Sequence, residues 1–120
     1  MKLFRKGYDI TLKRIKDTVR IKENGETLVL TVSADPMRIV SGLAKAQDKL
    51  KELTKDGKEP DKESLNGVAE FFASILFGSE QAAKLMAFYD NDAQDVVNVC
   101  GTYFRERLAK KITEAQKKHG

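Results

Sequence analysis

The chain has 120 residues, of which 41% are hydrophobic and 33% charged, with a formal net charge of +4. This length allows one domain with its own core, and no run approaches the ~20 apolar residues of a membrane span. The N-terminus lacks an apolar secretory segment, and the single cysteine, Cys100, has no partner for an internal disulfide. These features predict a cytoplasmic protein without a membrane segment.

Charge is distributed unevenly along the chain. Residues 1–22 hold eight Lys/Arg and two acids, residues 61–95 hold two Lys and seven acids, and residues 105–118 hold six basic groups and two acids. Such a pattern fits nucleic-acid binding or head-to-tail self-association, both of which salt would weaken. A solvated surface is the simpler explanation for each block taken alone.

We expect one domain over residues 1–120, with an arm and a β-hairpin over 1–34 and a helical bundle over 35–118. In the arm, Tyr8, Ile10 and Leu12 alternate with polar residues, which is typical of a short strand.

The strongest local pattern is Asn24-Gly25 between two alternating runs, which predicts a hairpin with a type I′ turn. Closing the chain there pairs Ile21 with Leu28 and Val19 with Leu30 on one apolar face. This face must lie on the helices, because a two-stranded sheet is marginal alone. The opposite face would meet water with Thr18, Arg20, Lys22, Thr27, Val29 and Thr31.

The first helix is predicted from Pro36 to about Thr54, with Asp35 as its N-cap. A loop with Gly57 and Pro60 follows it. The residues predicted to face inward are Ile39, Leu43, Ala46, Leu50 and Leu53.

The stretch from Leu65 to Asp92 is predicted to form two helices joined at Gly78-Ser79 and to supply the core. Gly78 would close the first helix with a positive φ, and Ser79 would cap the second. The second helix would turn Ala82, Leu85, Met86 and Tyr89 inward.

A last amphipathic helix should begin after Asn91 or Asp92 as its cap. Its predicted inward face is Val96, Cys100, Phe104, Leu108, Ile112 and Ala115, flanked by Val97 and Tyr103. The fold class is therefore mainly α (α+β), an N-terminal β-hairpin packed on a bundle of about four helices.

The sequence lacks the arrangements of side chains that catalysis or metal binding requires. The only histidine, His119, is penultimate, and Cys100 falls on an apolar helical face. A calcium loop starting at Asp90 fails, because Asp95 and Gly101 stand where the loop needs glycine and glutamate. No phosphate-binding glycine loop occurs either. We therefore predict a protein that is not an enzyme and needs no cofactor or metal.

Specific nucleic-acid binding is not expected either. The helix after Gly78 carries Lys84 as its only cation, whereas a recognition helix offers several basic or amide side chains.

The core stretch resembles the tail assembly chaperones of long-tailed bacteriophages and prophages. The residues that carry the resemblance are Phe71-Phe72, Ile75 to Ala82, Leu85 and Phe88 to Asp92. They match an apolar-Phe-Gly corner followed by an acidic residue, an Ala/Leu helix and an aromatic-acidic turn. The resemblance spans roughly residues 65–118, and Cys100-Gly101 does not belong to the pattern.

This resemblance implies a non-enzymatic chaperone that binds and solubilises the tape measure protein during tail morphogenesis. Such a chaperone acts in the host bacterial cytoplasm and is not expected in the mature virion. The resemblance also implies a longer, frameshifted form that recruits the tail tube protein, and Lys117-Lys118 is compatible with a slippery site.

The candidate protein-binding residues are Phe71, Phe72, Phe77, Phe88 and Tyr89. Neighbours such as Phe71 and Phe72 cannot both face one core stripe, so some of these rings would form an exposed patch for a partner or another copy. Alternatively, a small bundle buries them on two sides.

Two other functions remain open. A structural tail or connector component would be found in purified virions, and a small nucleic-acid-binding regulator would shift duplex DNA in a salt-dependent way.

Overall fold

The computed structural model describes residues 7–10 and 14–117, and the side chains within this part up to residue 115. Its elements are β1 (Ile15–Glu23), β2 (Glu26–Ala34), α1 (Pro36–Leu53), α2 (Lys62–Phe77), α3 (Ser79–Phe88), α4 (Ala93–Tyr103), a π-helical turn (Phe104–Leu108) and α5 (Ala109–Lys117). The backbone stays helical from α4 through the π-helical turn into α5. The predicted hairpin followed by four helices is confirmed.

The hairpin has the predicted turn and register. Asn24 and Gly25 both have positive φ, 51° and 80°, as a type I′ turn requires. Ile21 pairs with Leu28, and Val19 pairs with Leu30. The inner face is buried or half-buried, and all six residues predicted to face water are exposed. Turn chemistry and apolar alternation therefore agree on one register.

Helix α1 has the predicted ends, and all of its predicted inward residues except Leu50 are buried or half-buried. The Asp35 carboxylate accepts a hydrogen bond from the Met37 amide at 3.1 Å, and Thr54 follows the last helical residue. Only Ile39 and Ala46 of the predicted inward set are buried, and Leu50 is 43% exposed. The prediction for Leu50 was wrong because no helix or strand within residues 7–10 and 14–117 fully covers that end of the stripe.

The corner between α2 and α3 is built by Gly78 alone. Its φ of 87° is positive as predicted, but its ψ of 158° lies in a region that only glycine adopts readily. The Gly78 amide donates to the Ser74 carbonyl, and the Gly78 carbonyl accepts from the Ala82 amide. Ser79 is already helical, so its prediction as the N-cap was wrong.

In the turn before α4, the acidic residues and Asn91 shape the backbone and cap the helix. Asp90 and Asn91 adopt positive φ, and the Asp92 side chain caps α4 by accepting from the Asp95 amide at 3.2 Å. Asp92 is therefore the cap that the sequence analysis left open between two residues.

The π-helical turn changes which aromatic of the last helix faces the core. Tyr103 is buried, whereas Phe104 is only half-buried, the reverse of the prediction. The extra residue in the wide turn lets Tyr103 and Leu108, five positions apart, both point inward. The Tyr103 hydroxyl also donates to Asp17 at 2.9 Å, which favours this orientation.

One hydrophobic core joins the two strands to the helices. Its fully buried side chains include Leu30, Ile39, Leu76, Leu85 and Leu108. At the start of the chain, Tyr8 and Ile10 are exposed and lie in no strand. The third residue of that predicted strand, Leu12, lies outside the described residues, as does His119.

Candidate functional site

The five aromatic residues predicted as a binding patch do not form one surface. Phe77 is buried and packs against Tyr103, with ring centroids 5.9 Å apart. Phe88 and Tyr89 are half-buried and meet edge to face at 5.1 Å, and the Tyr89 hydroxyl donates to Glu23 at 3.2 Å. These three rings hold helices and hairpin together.

The other two predicted aromatic residues, Phe71 and Phe72, lie on different sides of α2. The Phe71 ring lies under the Lys49 ammonium group, 5.1 Å from its centroid, a distance typical of a cation–π contact. Phe72 instead lines an apolar groove between three helices. Of the five candidates, Phe72 is therefore the one that lies in this groove.

The groove has a volume of about 380 Å³ and is formed by α1, α2 and α4. Helix α2 packs against both α1 and α4, so it forms the floor and the other two form walls. The lining residues are mainly aliphatic or aromatic: Leu43, Ala46, Gln47, Leu50, Leu65, Val68, Phe72, Ala93, Gln94, Val97, Gly101, Phe104 and Arg105.

The groove exists because each helix carries apolar residues beyond the stripe that enters the core. In α2, Ala69 and Ala73 are fully buried, while Leu65, Val68 and Phe72 occupy the adjacent face. In α4 and the π-helical turn, Val97 and Phe104 likewise flank the buried positions. An apolar face this wide needs more than one neighbour to cover it.

The apolar wall of α1 continues past the end of the groove. Val40 is 43% exposed and lies three residues before Leu43, on the same side of the helix. Leu50, at the other end of the groove, is exposed to the same extent. This wall therefore offers an apolar strip of roughly three helical turns.

Few polar groups enter the groove. The Gln94 amide donates to Asn98 on its own helix, which leaves Gln47 and Arg105 as the other polar lining residues. Small-molecule sites usually place several convergent polar groups to orient a ligand. This groove instead suits the apolar side chains of a protein partner.

The thiol of the buried Cys100 is not available as a nucleophile. Cys100 is fully buried, and burial raises the pKa of its thiol to about 12, so the nucleophilic thiolate is suppressed at neutral pH. Within residues 7–10 and 14–117, no cluster of three or more His, Cys, Asp or Glu is arranged to hold a metal ion. No helix in that same part of the chain is long and apolar enough to cross a membrane.

A polar cluster ties the hairpin to the π-helical turn. Asp17 lies on the inner face of β1, with its side chain 5% exposed. Arg107 donates to its two carboxylate oxygens at 2.6 and 3.0 Å, and Tyr103 donates at 2.9 Å. Burial raises the pKa of Asp17, but the bonds from Arg107, Tyr103 and the Thr18 amide outweigh it and lower the pKa overall. This cluster orients the hairpin on the helices.

The residues of the groove were not identified as a site from sequence, apart from Phe72. Leu43, Leu50 and Phe104 were predicted to face the core, and Val97 to flank it. The sequence feature that points to the groove is the width of the apolar faces on all three helices.

A comparison of the chain with family models, curated proteins and solved structures finds no match.

Proposed function

We propose that this protein is a non-enzymatic assembly chaperone that holds the apolar face of a helical partner in the groove between α1, α2 and α4. The observation that carries the proposal is the groove itself, an open apolar channel of about 380 Å³ with a helix on each side and a helix as its floor. A further helix laid in this channel would complete a bundle of four.

The dimensions of the groove match this mode of binding. The strip from Val40 to Leu50 is about 15 Å long, given the rise of an α-helix. An amphipathic partner helix would fill it with anchors at positions i, i+3 or i+4, and i+7.

The resemblance of residues 65–118 makes the tape measure protein the partner in this proposal. A long helical protein offers many such apolar segments, so several copies of the chaperone would coat one partner and contact each other. A longer form that recruits the tail tube protein, action in the host bacterial cytoplasm and absence from the mature virion belong to the same proposal.

The test is co-expression with a candidate tape measure protein, followed by affinity capture and light scattering. The double variant Val40→Gln/Leu50→Gln removes apolar contact from the groove wall without adding charge. Val29→Gln is the matched control, because Val29 is 51% exposed on the outer face of the hairpin. Losing two apolar side chains from an interface should weaken binding at least about tenfold.

Support for the proposal would be a soluble complex with several chaperone copies, lost in the groove variant and kept in the Val29→Gln control. An insoluble partner beside a free monomer would overturn it. Recovery of the chain from purified virions would favour a structural tail component, and a salt-sensitive shift of duplex DNA would favour a nucleic-acid-binding regulator.

A further inference from the structure

The hairpin has two outer edges, and a side chain from α3 shows which backbone groups point outward. The Gln81 side chain accepts from the Thr31 amide at 2.8 Å and donates to the Thr31 carbonyl at 2.7 Å. Both groups of Thr31 therefore point away from β1. In an antiparallel ladder such outward pairs alternate with hydrogen-bonded pairs.

Applied to the observed register, this alternation identifies the outward-facing residues of β1. Thr31 pairs with Thr18, so Thr18, Arg20 and Lys22 all point their backbone groups to the outer edge of β1. The Thr18 amide is taken by the Asp17 carboxylate at 2.9 Å. For Arg20 and Lys22, residues 7–10 and 14–117 supply no hydrogen-bond partner to the backbone.

A groove of about 620 Å³ runs beside this open edge, between β1 and α4. Its apolar lining comes from Val19, Ile21 and Val99, together with the Tyr103 ring. The opposite wall is formed by exposed polar residues, Asn98, Thr102, Glu106 and Arg107, of which Arg107 is paired with Asp17. A strand edge facing a helix across a groove is the geometry in which an extended peptide can add to a sheet.

The basic side chains beside the open edge of β1 determine which kind of peptide would bind there. The side chains of Arg20 and Lys22 flank the open edge on the water face, and Lys16 continues the row. A strand paired with β1 would place alternate side chains beside these cations and the others over the apolar lining. Opposite charges in neighbouring strands stabilise pairing, and like charges oppose it.

We propose that the outer edge of β1 binds an extended partner segment in which acidic residues alternate with apolar ones. The acidic side chains lie beside Arg20 and Lys22, the apolar ones enter the groove against Val19, Ile21 and Val99, and backbone groups pair with Arg20 and Lys22. This proposal does not depend on the groove between α1, α2 and α4.

A second copy of the chain is a poorer occupant of this edge. Pairing β1 with β1 would bring the basic side chains of one copy beside those of the other copy, namely Lys16, Arg20 and Lys22. Basic side chains on an edge strand are a common means of preventing such self-pairing.

The test uses a fluorescent peptide in which glutamate alternates with valine, measured by anisotropy with the full-length chain. A peptide in which lysine replaces glutamate controls for charge. A third peptide carries N-methyl groups on the amides that would pair with β1, which removes those donors. Hydrogen exchange at the Arg20 and Lys22 amides reports pairing directly, since charge attraction alone would not slow it.

We expect the acidic peptide to bind and to slow exchange at both amides, while the other two peptides bind at least about tenfold more weakly. The double variant Arg20→Glu/Lys22→Glu should weaken binding to a similar degree, and Lys45→Glu on α1 should not. The proposal is overturned if the methylated peptide binds equally well or exchange is unchanged. Slowed exchange at both amides with rising protein concentration, in the absence of peptide, would also overturn it, because it would identify a second copy as the occupant.

Discussion

The close packing of α1 on α2 can be tested with one substitution at two sites. Gly42 lies in α1 where an added Cβ atom would come within 2.9 Å of both Cγ atoms of Ile75 in α2. Gly67 lies in α2, and an added Cβ atom there would meet nothing within 4 Å. Alanine at both sites thus separates the cost of a contact from the intrinsic preference of a helix for alanine.

The two variants should change stability in opposite directions. Gly67→Ala should stabilise the protein by about 0.5–1 kcal/mol, because alanine loses less backbone entropy in a helix. Gly42→Ala gains the same preference but overpacks the contact with Ile75, at a cost of about 1–3 kcal/mol. Gly42→Ala should therefore be about 1–3 kcal/mol less stable than Gly67→Ala, which in the middle of these ranges is a net destabilisation of about 1 kcal/mol relative to wild type.

Urea denaturation followed by far-UV circular dichroism measures both changes, since the chain has no tryptophan to follow by fluorescence. A double-mutant cycle with Ile75→Ala, which removes the crowded Cγ atoms, should show a favourable coupling energy of at least about 0.5 kcal/mol. Equal stabilisation by Gly42→Ala and Gly67→Ala would refute the close approach of the two helices, and with it the position of the α1 wall.

Two further predictions concern the hairpin contact and the π-helical turn. Asp17→Asn should destabilise the protein by about 1–3 kcal/mol at neutral pH, because it removes hydrogen bonds to a charged group. The folded-state pKa of Asp17 is lowered below its ordinary value of 3.8, so its contribution is present above that value and is lost as pH falls through the folded pKa. Urea titrations should therefore give stabilities for wild type and Asp17→Asn that converge in acid; a constant difference would contradict this. Deleting Glu106 should change stability by less than about 1 kcal/mol, because a four-residue step still turns Tyr103 and Leu108 inward in a regular helix. Deleting Asn98 should cost several kcal/mol, because it rotates every later inward residue of the helix by about 100°; equal costs for the two deletions would refute this reading of the turn.

The parts of the fold that were predicted correctly are set by short stretches of sequence. The Asn24-Gly25 turn determines the strand register, and Asp35-Pro36 determines where α1 begins. The error at Tyr103 and Phe104 arose because a contact distant in sequence determines which of the two rings is buried. Tyr103 is buried because it bonds to Asp17, 86 residues earlier, and the π-helical turn adjusts the helix to that contact.

The candidate site was harder to predict than the fold for a related reason. Periodicity identifies the apolar side of a helix but not which neighbour covers it. Leu50 and Phe104 both fit a core stripe, and the structure leaves each of them partly open to solvent. Phe77 was a reasonable binding candidate by its position next to Leu76, yet the fold buries both.

The core explains only part of the apolar character of the groove, because Leu43, Phe72, Val97 and Phe104 pack against the core but Leu50 does not. The water-facing positions of α1 are largely charged, including Lys45 and Lys49, which shows that the helix tolerates polar residues where it meets solvent. At Leu50, by contrast, a large apolar side chain is 43% exposed, and its neighbours across the groove are apolar as well. Contiguous apolar surface on a small domain invites aggregation unless a partner covers it. Polar residues at these rim positions would remove that risk at little cost to the core, so their apolar character supports a binding role for the groove.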